Sequence, residues 1–331
     1  MGNRPQIIFR ADGNSNIGLG HVIRSLAIAD MIKDEFDCVF AIKSPTDQLQ
    51  KIILESCNKI INLREEDAED EFISFISSDA IVVLDGYLFK TDMQIAIKNK
   101  GCKLVCIDDL NEWHFVADAI INQNSDITTA DYSKEPYTRL FSGLDYAMLR
   151  KPFLDAAKKE RYPRKIKNII INFGGADMYN LTLKVLRACI GIGAQINIHI
   201  ITGAAYRHLD TLNEFKGQKS IFFHDRLNAD QMCSLMLECE LIICPASSVC
   251  IEALSAGMNI ITGYYADNQR AFASFLNREQ YASSIGDFLE ITIQQLSATV
   301  ANAIKIDDVS VKKKVIDGKQ DIRFINLFKS L

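Results

Sequence analysis

Short, continuous apolar runs recur along the chain, and stretches with helical spacing separate several of them. In the first half the runs are residues 7–9, 39–42, 60–63, 81–84, 104–107 and 120–122; in the second they are 169–173, 196–201, 221–223, 241–244 and 259–263. A run that is apolar at every position has no face to give to water, so it belongs in a parallel sheet covered on both sides. Alternation with helical stretches, such as residues 21–32 and 91–98, predicts β-α-β units. The pattern occurs twice, on either side of residues 150–167. That stretch is crowded with Lys and Arg, carries Pro152 and Pro163, and reads as a solvated helix and linker. The expected fold class is α/β, with two doubly wound, Rossmann-like domains facing a cleft, residues 1–150 and 151–331. A helical pattern at 292–304 forms the tail of the second domain.

At 331 residues the chain is long enough for two cores. Lys plus Arg is 37 against 42 for Asp plus Glu, a formal net charge of -5, which argues against a nucleic-acid or anionic-membrane binder. The apolar run at 7–9 is too short for a signal peptide. The uncharged window 188–206 is broken by Gly191, Gly193, Gln195, Asn197 and His199, so a helix end, a turn and a strand are expected there, not a membrane span. None of the nine cysteines stands at C-x-x-C spacing and most lie in apolar runs, as buried reduced thiols of a cytoplasmic protein do. His114, His199, His208 and His224 stand apart from other ligand types, so neither a metal nor another cofactor is expected.

Residues 10–24 read R-A-D-G-N-S-N-I-G-L-G-H-V-I-R. A strand ends near Arg10, and a helix begins near His21. The loop between them lies at the carboxyl edge of the sheet, where ligands bind. Gly18 and Gly20 let the backbone approach a ligand, and the first-turn amides of the helix suit an anion. His21 either transfers a proton there or caps the loop. Arg10 and Asp12 are candidate substrate contacts; Asp12 and Arg24 suit holding the loop together better than reacting.

In the far half, I-I-I-N-F-G-G-A-D is a strand entering a Gly174-Gly175 turn, with a helix expected from about Asp177. An ordinary strand–helix turn explains it as well as a ligand does. At C-P-A-S-S-V-C-I-E-A-L-S-A-G, Ser247 or Ser248 serves as N-cap, and Glu252 is expected in the first helical turn. There it either complements the helix dipole or accepts both hydroxyls of a ribose, leaving the free amides to a diphosphate. Asn268 and Gln269 follow as loop amides, suited to a ligand or to capping.

Gly18-x-Gly20-His21-x-x-Arg24, Asp85-Gly86-Tyr87, Phe173-Gly174-Gly175-Ala176-Asp177, Ser247-Ser248-x-x-x-Glu252-Ala253-Leu254 and Asn268-Gln269, taken in order, resemble the UDP-2,4-diacetamido-2,4,6-trideoxy-β-L-altropyranose hydrolases of pseudaminic acid biosynthesis. That family is similar in turn to two-domain GT-B glycosyltransferases. The resemblance implies a GT-B-like fold with UDP in the C-terminal domain. It also implies hydrolysis of a UDP-sugar at the anomeric carbon, with His21 as general base and inversion. Tyr87 and Asn268 then support catalysis, although a strand-end Tyr can also simply cover core. Glu252 holds the ribose, and Gly174, Gly175, Ser247 and Ser248 face the diphosphate. Gly86 is smaller than the residue usual in the family, which leaves the sugar open. A glycosyltransferase with a UDP-amino-sugar donor and a non-catalytic nucleotide-sugar binder are the alternatives on the same fold.

Overall fold

The computed structural model describes residues 4–13, 18–124, 126–162, 164–193, 195–305 and 314–331; residues 14–17 of the first loop and Pro163 of the expected linker lie outside them. Strands β1 (Gln6–Ala11), β2 (Asp37–Lys43), β3 (Lys59–Leu63), β4 (Ile81–Asp85), β5 (Lys103–Ile107), β6 (Ala119–Asn122) and β7 (Arg139–Ser142) form one sheet. Its order is β3-β2-β1-β4-β5-β6-β7, parallel throughout. Around it lie α1 (Gly20–Ile32), α2 (Asp47–Leu54), α3 (Ala68–Phe75) and α4 (Thr91–Asn99), and α5 (Lys151–Ala157) follows. A second parallel sheet runs β10-β9-β8-β11-β12-β13, from β8 (Asn168–Asn172), β9 (Asn197–Thr202), β10 (Ile221–Asp225), β11 (Leu241–Ile243), β12 (Asn259–Tyr264) and β13 (Ser283–Asp287). Its helices are α6 (Leu181–Ile190), α7 (Ala229–Glu238), α8 (Ser248–Ser255), α9 (Asp267–Arg278) and α10 (Ile293–Lys305), and α11 (Gln320–Lys329) closes the chain.

Both faces of the first sheet are covered, which is why its strands read as unbroken apolar runs. Ile7, Phe9 and Ala11 of β1 pack with Val22, Ile28 and Ile32 of α1. Ile8 points the other way, into a cluster with Phe72 of α3 and Met93 and Ile97 of α4. Burying one such side chain stabilises the fold by about 1.5–3 kcal/mol. In each sheet the strand order reverses once, between β1 and β4 and between β8 and β11. Connections leave such a point in opposite directions and open a crevice at the carboxyl ends of those strands. The motifs that follow β1, β4, β8 and β11 lie at these two points, and Asn268-Gln269 follows the neighbouring β12. Strands β7 and β13 are additions to the sequence reading.

The chain forms two compact units, 1–151 with 319–331, and 152–318. The last helix therefore departs from the expected 151–331 domain. Phe324, Leu327 and Phe328 of α11 are buried in the α1 face of the first sheet, and the Phe328 ring meets Phe36 edge-on at 5.9 Å. Helix α10 stays on the second unit, where Leu296 and Val300 are buried and Ser297 Oγ donates to Ala188 O at 2.8 Å. Nor is the basic stretch 150–167 merely solvated, since Phe153 is fully buried in α5. Beyond it the Arg161 guanidinium donates to Met236 O and Ala256 O, each at 2.9 Å, and to Cys239 O, tying the ends of α7 and α8 together.

All nine cysteines are buried and free of disulfides. The window 188–206 is divided between the end of α6 and β9. No helix among the described residues is long and apolar enough to cross a membrane.

Candidate active site

Helix α1 carries His21, Arg24 and Ser25 at i, i+3 and i+4, one face of a helix. Because β1 lies beside β4, that face meets the end of β4, where Asp85 is fully buried. Four donors converge on the Asp85 carboxylate: His21 Nδ1 at 2.7 Å, Arg24 Nε at 2.7 Å, Arg24 Nη2 at 2.5 Å and Ser25 Oγ at 3.1 Å. Burial alone would raise its pKa, but the Arg24 guanidinium and then His21 outweigh burial and hold Asp85 below the usual carboxylate range. A ring nitrogen 2.7 Å from an ionised carboxylate carries the proton, which assigns hydrogen to His21 Nδ1 and leaves the Nε2 lone pair available. Arg24 Nη2 also lies 3.1 Å from Nδ1, but two donors do not bond; this is a contact between partners of one carboxylate.

Tyr87 follows β4 by two residues. Its ring meets the His21 ring edge-on, at 4.6 Å and 87°. It is 43% exposed, so it does not cover core. The hydroxyl donates to Asp109 Oδ2 over a long 3.4 Å, and Arg24 Nη1 reaches the same oxygen at 3.1 Å. Asp109 Oδ1 is buried with no partner among the described residues, a state that costs about 1–3 kcal/mol. The loop carrying Asp109 is pinned by its neighbour: Asp108 accepts from Tyr132 OH at 2.9 Å and from the Asn111 amide at 2.8 Å. Burial pushes the Asp108 carboxyl up.

Other expected contacts settle differently. Arg10 is fully buried, paired through Nη1 and Nη2 with Asp12 at 2.6 and 2.8 Å, and lies over the Phe89 ring at 4.9 Å. It presents no atom to a ligand, which corrects its assignment as a substrate contact. Asp12 in turn accepts the Lys43 amide at 3.0 Å and ties the loop to β2. Gly18 has φ +83° and Gly20 opens α1; nothing lies within 4 Å of where a Cβ would stand on either, so the loop has open space beside it.

In the second unit Gly174 takes φ +78°, and Gly174 and Gly175 likewise have open space where a Cβ would stand. The following helix starts at Leu181, four residues later than expected. Asp177 lies in the turn and accepts the Leu181 and Thr182 amides at 2.8 Å each. That helix terminus already has its anion. The start of α8 differs: Ser247 sits at the N-cap in extended backbone, its side chain makes no cap bond, and the first turn holds no acidic residue. The first amides of a helix have no partner within it. Glu252 is thus in the second turn, not the first, and is 7% exposed. Asn268 and Gln269 are not loop residues, because α9 begins at Asp267. Gln269 Oε1 accepts the Tyr265 amide at 3.1 Å, one residue before the N-cap Ala266. Asn268 is half-buried in the same first turn.

Asp85 and Asp109 were not singled out as site residues in the sequence. The motif Asp85-Gly86-Tyr87 pointed at the strand end but not at which side chain met the histidine. No three His, Cys, Asp or Glu side chains among the described residues are placed to hold a metal.

No family model matches the chain. It is 30% identical over 277 residues to an uncharacterised protein of Methanocaldococcus jannaschii, a match covering 80% of this chain and 57% of that protein, so the chain spans little more than half of that relative. Over 286 residues it is 29% identical to the UDP-2,4-diacetamido-2,4,6-trideoxy-β-L-altropyranose hydrolase of Campylobacter jejuni, covering 83% of this chain and 97% of that enzyme. The chain is thus similar to this hydrolase along nearly the whole length of that enzyme. Among solved structures it superposes on Acinetobacter baumannii MurG with a TM-score of 0.66 at 12% identity, covering 99% of this chain and 100% of that one. Anabaena Alr3699/HepE in complex with UDP gives 0.62 at 12% identity, covering 98% of each chain. The architecture is the GT-B type, two parallel-sheet α/β domains.

Proposed function

We propose that this protein hydrolyses a UDP-linked diacetamido-trideoxy sugar at the bond between the anomeric carbon and the diphosphate oxygen. The observation that carries the reading is the His21–Asp85 pair at the strand-order reversal of the first sheet, in a chain similar to a hydrolase of that chemistry. His21 Nε2 takes a proton from water as the water oxygen bonds to the anomeric carbon. The carbon–oxygen bond breaks with its electron pair leaving on UDP. A positioned general base is worth about 100- to 10,000-fold in rate. Attack opposite the leaving group inverts the anomeric carbon.

The departing diphosphate gathers negative charge. In this reading the first amides of α8 and the Gly174-Gly175 turn stabilise it, and one such donor is worth about 100- to 1000-fold. Glu252 accepts the ribose hydroxyls, and Tyr87 and Asn268 position sugar and water. The Anabaena neighbour holds UDP on the same fold, which supports a uridine nucleotide as ligand.

The test is product analysis in oxygen-18 water with UDP-acetamido sugars and no acceptor. Equimolar UDP and free sugar, with label in the sugar, support hydrolysis. Turnover only with an added acceptor makes the protein a transferase, and label in phosphate makes it a pyrophosphatase. His21→Ala is expected to abolish turnover with UDP affinity kept; near-normal rates in that variant would remove the base.

A further inference from the structure

We propose that Arg24 is a positioning residue that sets His21 and Tyr87 in register by holding the carboxylate partner of each on one guanidinium. The inference rests on reading His21 as the base and goes beyond it.

The five side chains close a ring of contacts. His21 bonds Asp85, Asp85 bonds Arg24, Arg24 bonds Asp109, Asp109 accepts from Tyr87, and the Tyr87 ring returns to His21. Arg24 uses Nε and Nη2 on Asp85 and Nη1 on Asp109. A guanidinium is planar, so once two of its nitrogens are seated on one carboxylate the direction of the third is fixed. That seat fixes where Asp109 is held, and Asp109 in turn receives the hydroxyl of Tyr87. Asp108 keeps the Asp109 loop from following a misplaced partner. The alternative role, holding the glycine-rich loop, has no support in Arg24's recorded bonds, which go to Asp85 and Asp109.

The single cation also stands between two anions. It keeps buried Asp85 ionised, so that Asp85 goes on fixing the Nδ1–H tautomer. Around the imidazole the charged groups are Asp85 from β4, Arg24 from α1 and Asp109 from beyond β5, with Tyr87 and Ser25 as neutral neighbours.

The experiment reads the imidazole directly and so does not depend on turnover. Nitrogen-15 histidine is incorporated, and the His21 signals are assigned by their loss in His21→Gln. The full-length protein is expected to show one tautomer, Nδ1–H, with a slowly exchanging proton. Arg24→Met is expected to mix the tautomers, because buried Asp85 loses the cation that holds it ionised and in place against Nδ1. Arg24→Lys, the variant to read if Met prevents folding, keeps a charge but not the fork; it is expected to lose the fixed tautomer. UDP affinity by calorimetry is expected to be unchanged in both.

With a hydrolysed UDP-sugar, Arg24→Lys is expected to lower kcat about 10- to 100-fold with KM nearly constant. Asp109→Asn is expected to lower kcat while leaving the His21 tautomer as it was, because it cuts only the Tyr87 side. Folded Arg24 variants with the wild-type tautomer overturn the proposal, whatever the turnover result. Fixed tautomers without any UDP-sugar hydrolysis leave the clamp standing and remove the hydrolase reading.

Discussion

Replacing Asp85 by Asn keeps the shape of the side chain and removes its charge. The amide can turn either its oxygen or its nitrogen to His21, so the tautomer is no longer imposed, and Arg24 loses half of its counter-charge. In a histidine base oriented by a carboxylate, that change costs up to about 10,000-fold in kcat. A fall of about 100-fold or more with UDP affinity retained is expected from steady-state kinetics and calorimetry; a loss under threefold would mean that Asp85 only fills space. The same residue shows why sequence reading stopped short. His21, Arg24 and Ser25 are legible as one helical face from their spacing alone. Their partners are not: Arg24 finds Asp85 and Asp109 at 61 and 85 residues' separation, and only sheet order brings those distances together. Arg10 misled for another reason: its partner Asp12 is only two residues away, and what the sequence did not show is that the side chain is fully buried.

Among the elements, the strands that were legible are those whose sequence carries an apolar run, the edge strands β3 and β10 included. β7 and β13 were not, because R-L-F-S and S-S-I-G-D are broken by polar and small residues. An opposite edge carries a pH-sensitive contact. His199 Nδ1 on β9 lies 3.1 Å from His224 Nε2 on β10, a bond that needs one of the two rings neutral. Burial pushes both below the ordinary histidine value, and for His199 the neighbouring His224 adds to it. Between the folded and unfolded values the unfolded chain binds more protons, so stability falls as pH drops below about 6.5. The melting temperature of the second unit is expected to fall from pH 7 to pH 5, and His224→Gln to flatten that slope; equal slopes would dismiss the pair. Arg161 acts between elements too. Removing its three carbonyl contacts by Arg161→Ala is expected to cost about 2 kcal/mol in denaturant unfolding, since α7 and α8 then end on unpaired groups. An unchanged unfolding midpoint would show that water replaces it.

Over the whole molecule, unit 152–318 is continuous and the other is not. One helical pattern, 292–304, was expected in a tail belonging to the second domain; α11 was not, and the burial of its Phe324, Leu327 and Phe328 puts it on the first unit. Residues 152–318 expressed alone are expected to melt cooperatively. Residues 1–151 alone are expected to bind hydrophobic dyes and resist cooperative melting until 319–331 is supplied, because the face of α1 is left bare. In the full chain Phe328→Ala is expected to cost the first unit about 3–5 kcal/mol. A stable, dye-silent 1–151 fragment would show that α11 is dispensable.

Helix α11 also orders manufacture. A ribosome makes the His21 half first, yet that half cannot close until its last helix has left the exit tunnel, by which time the middle of the protein has had the chance to fold. Chains arrested after residue 318 should therefore lose the early half to added protease and keep the middle.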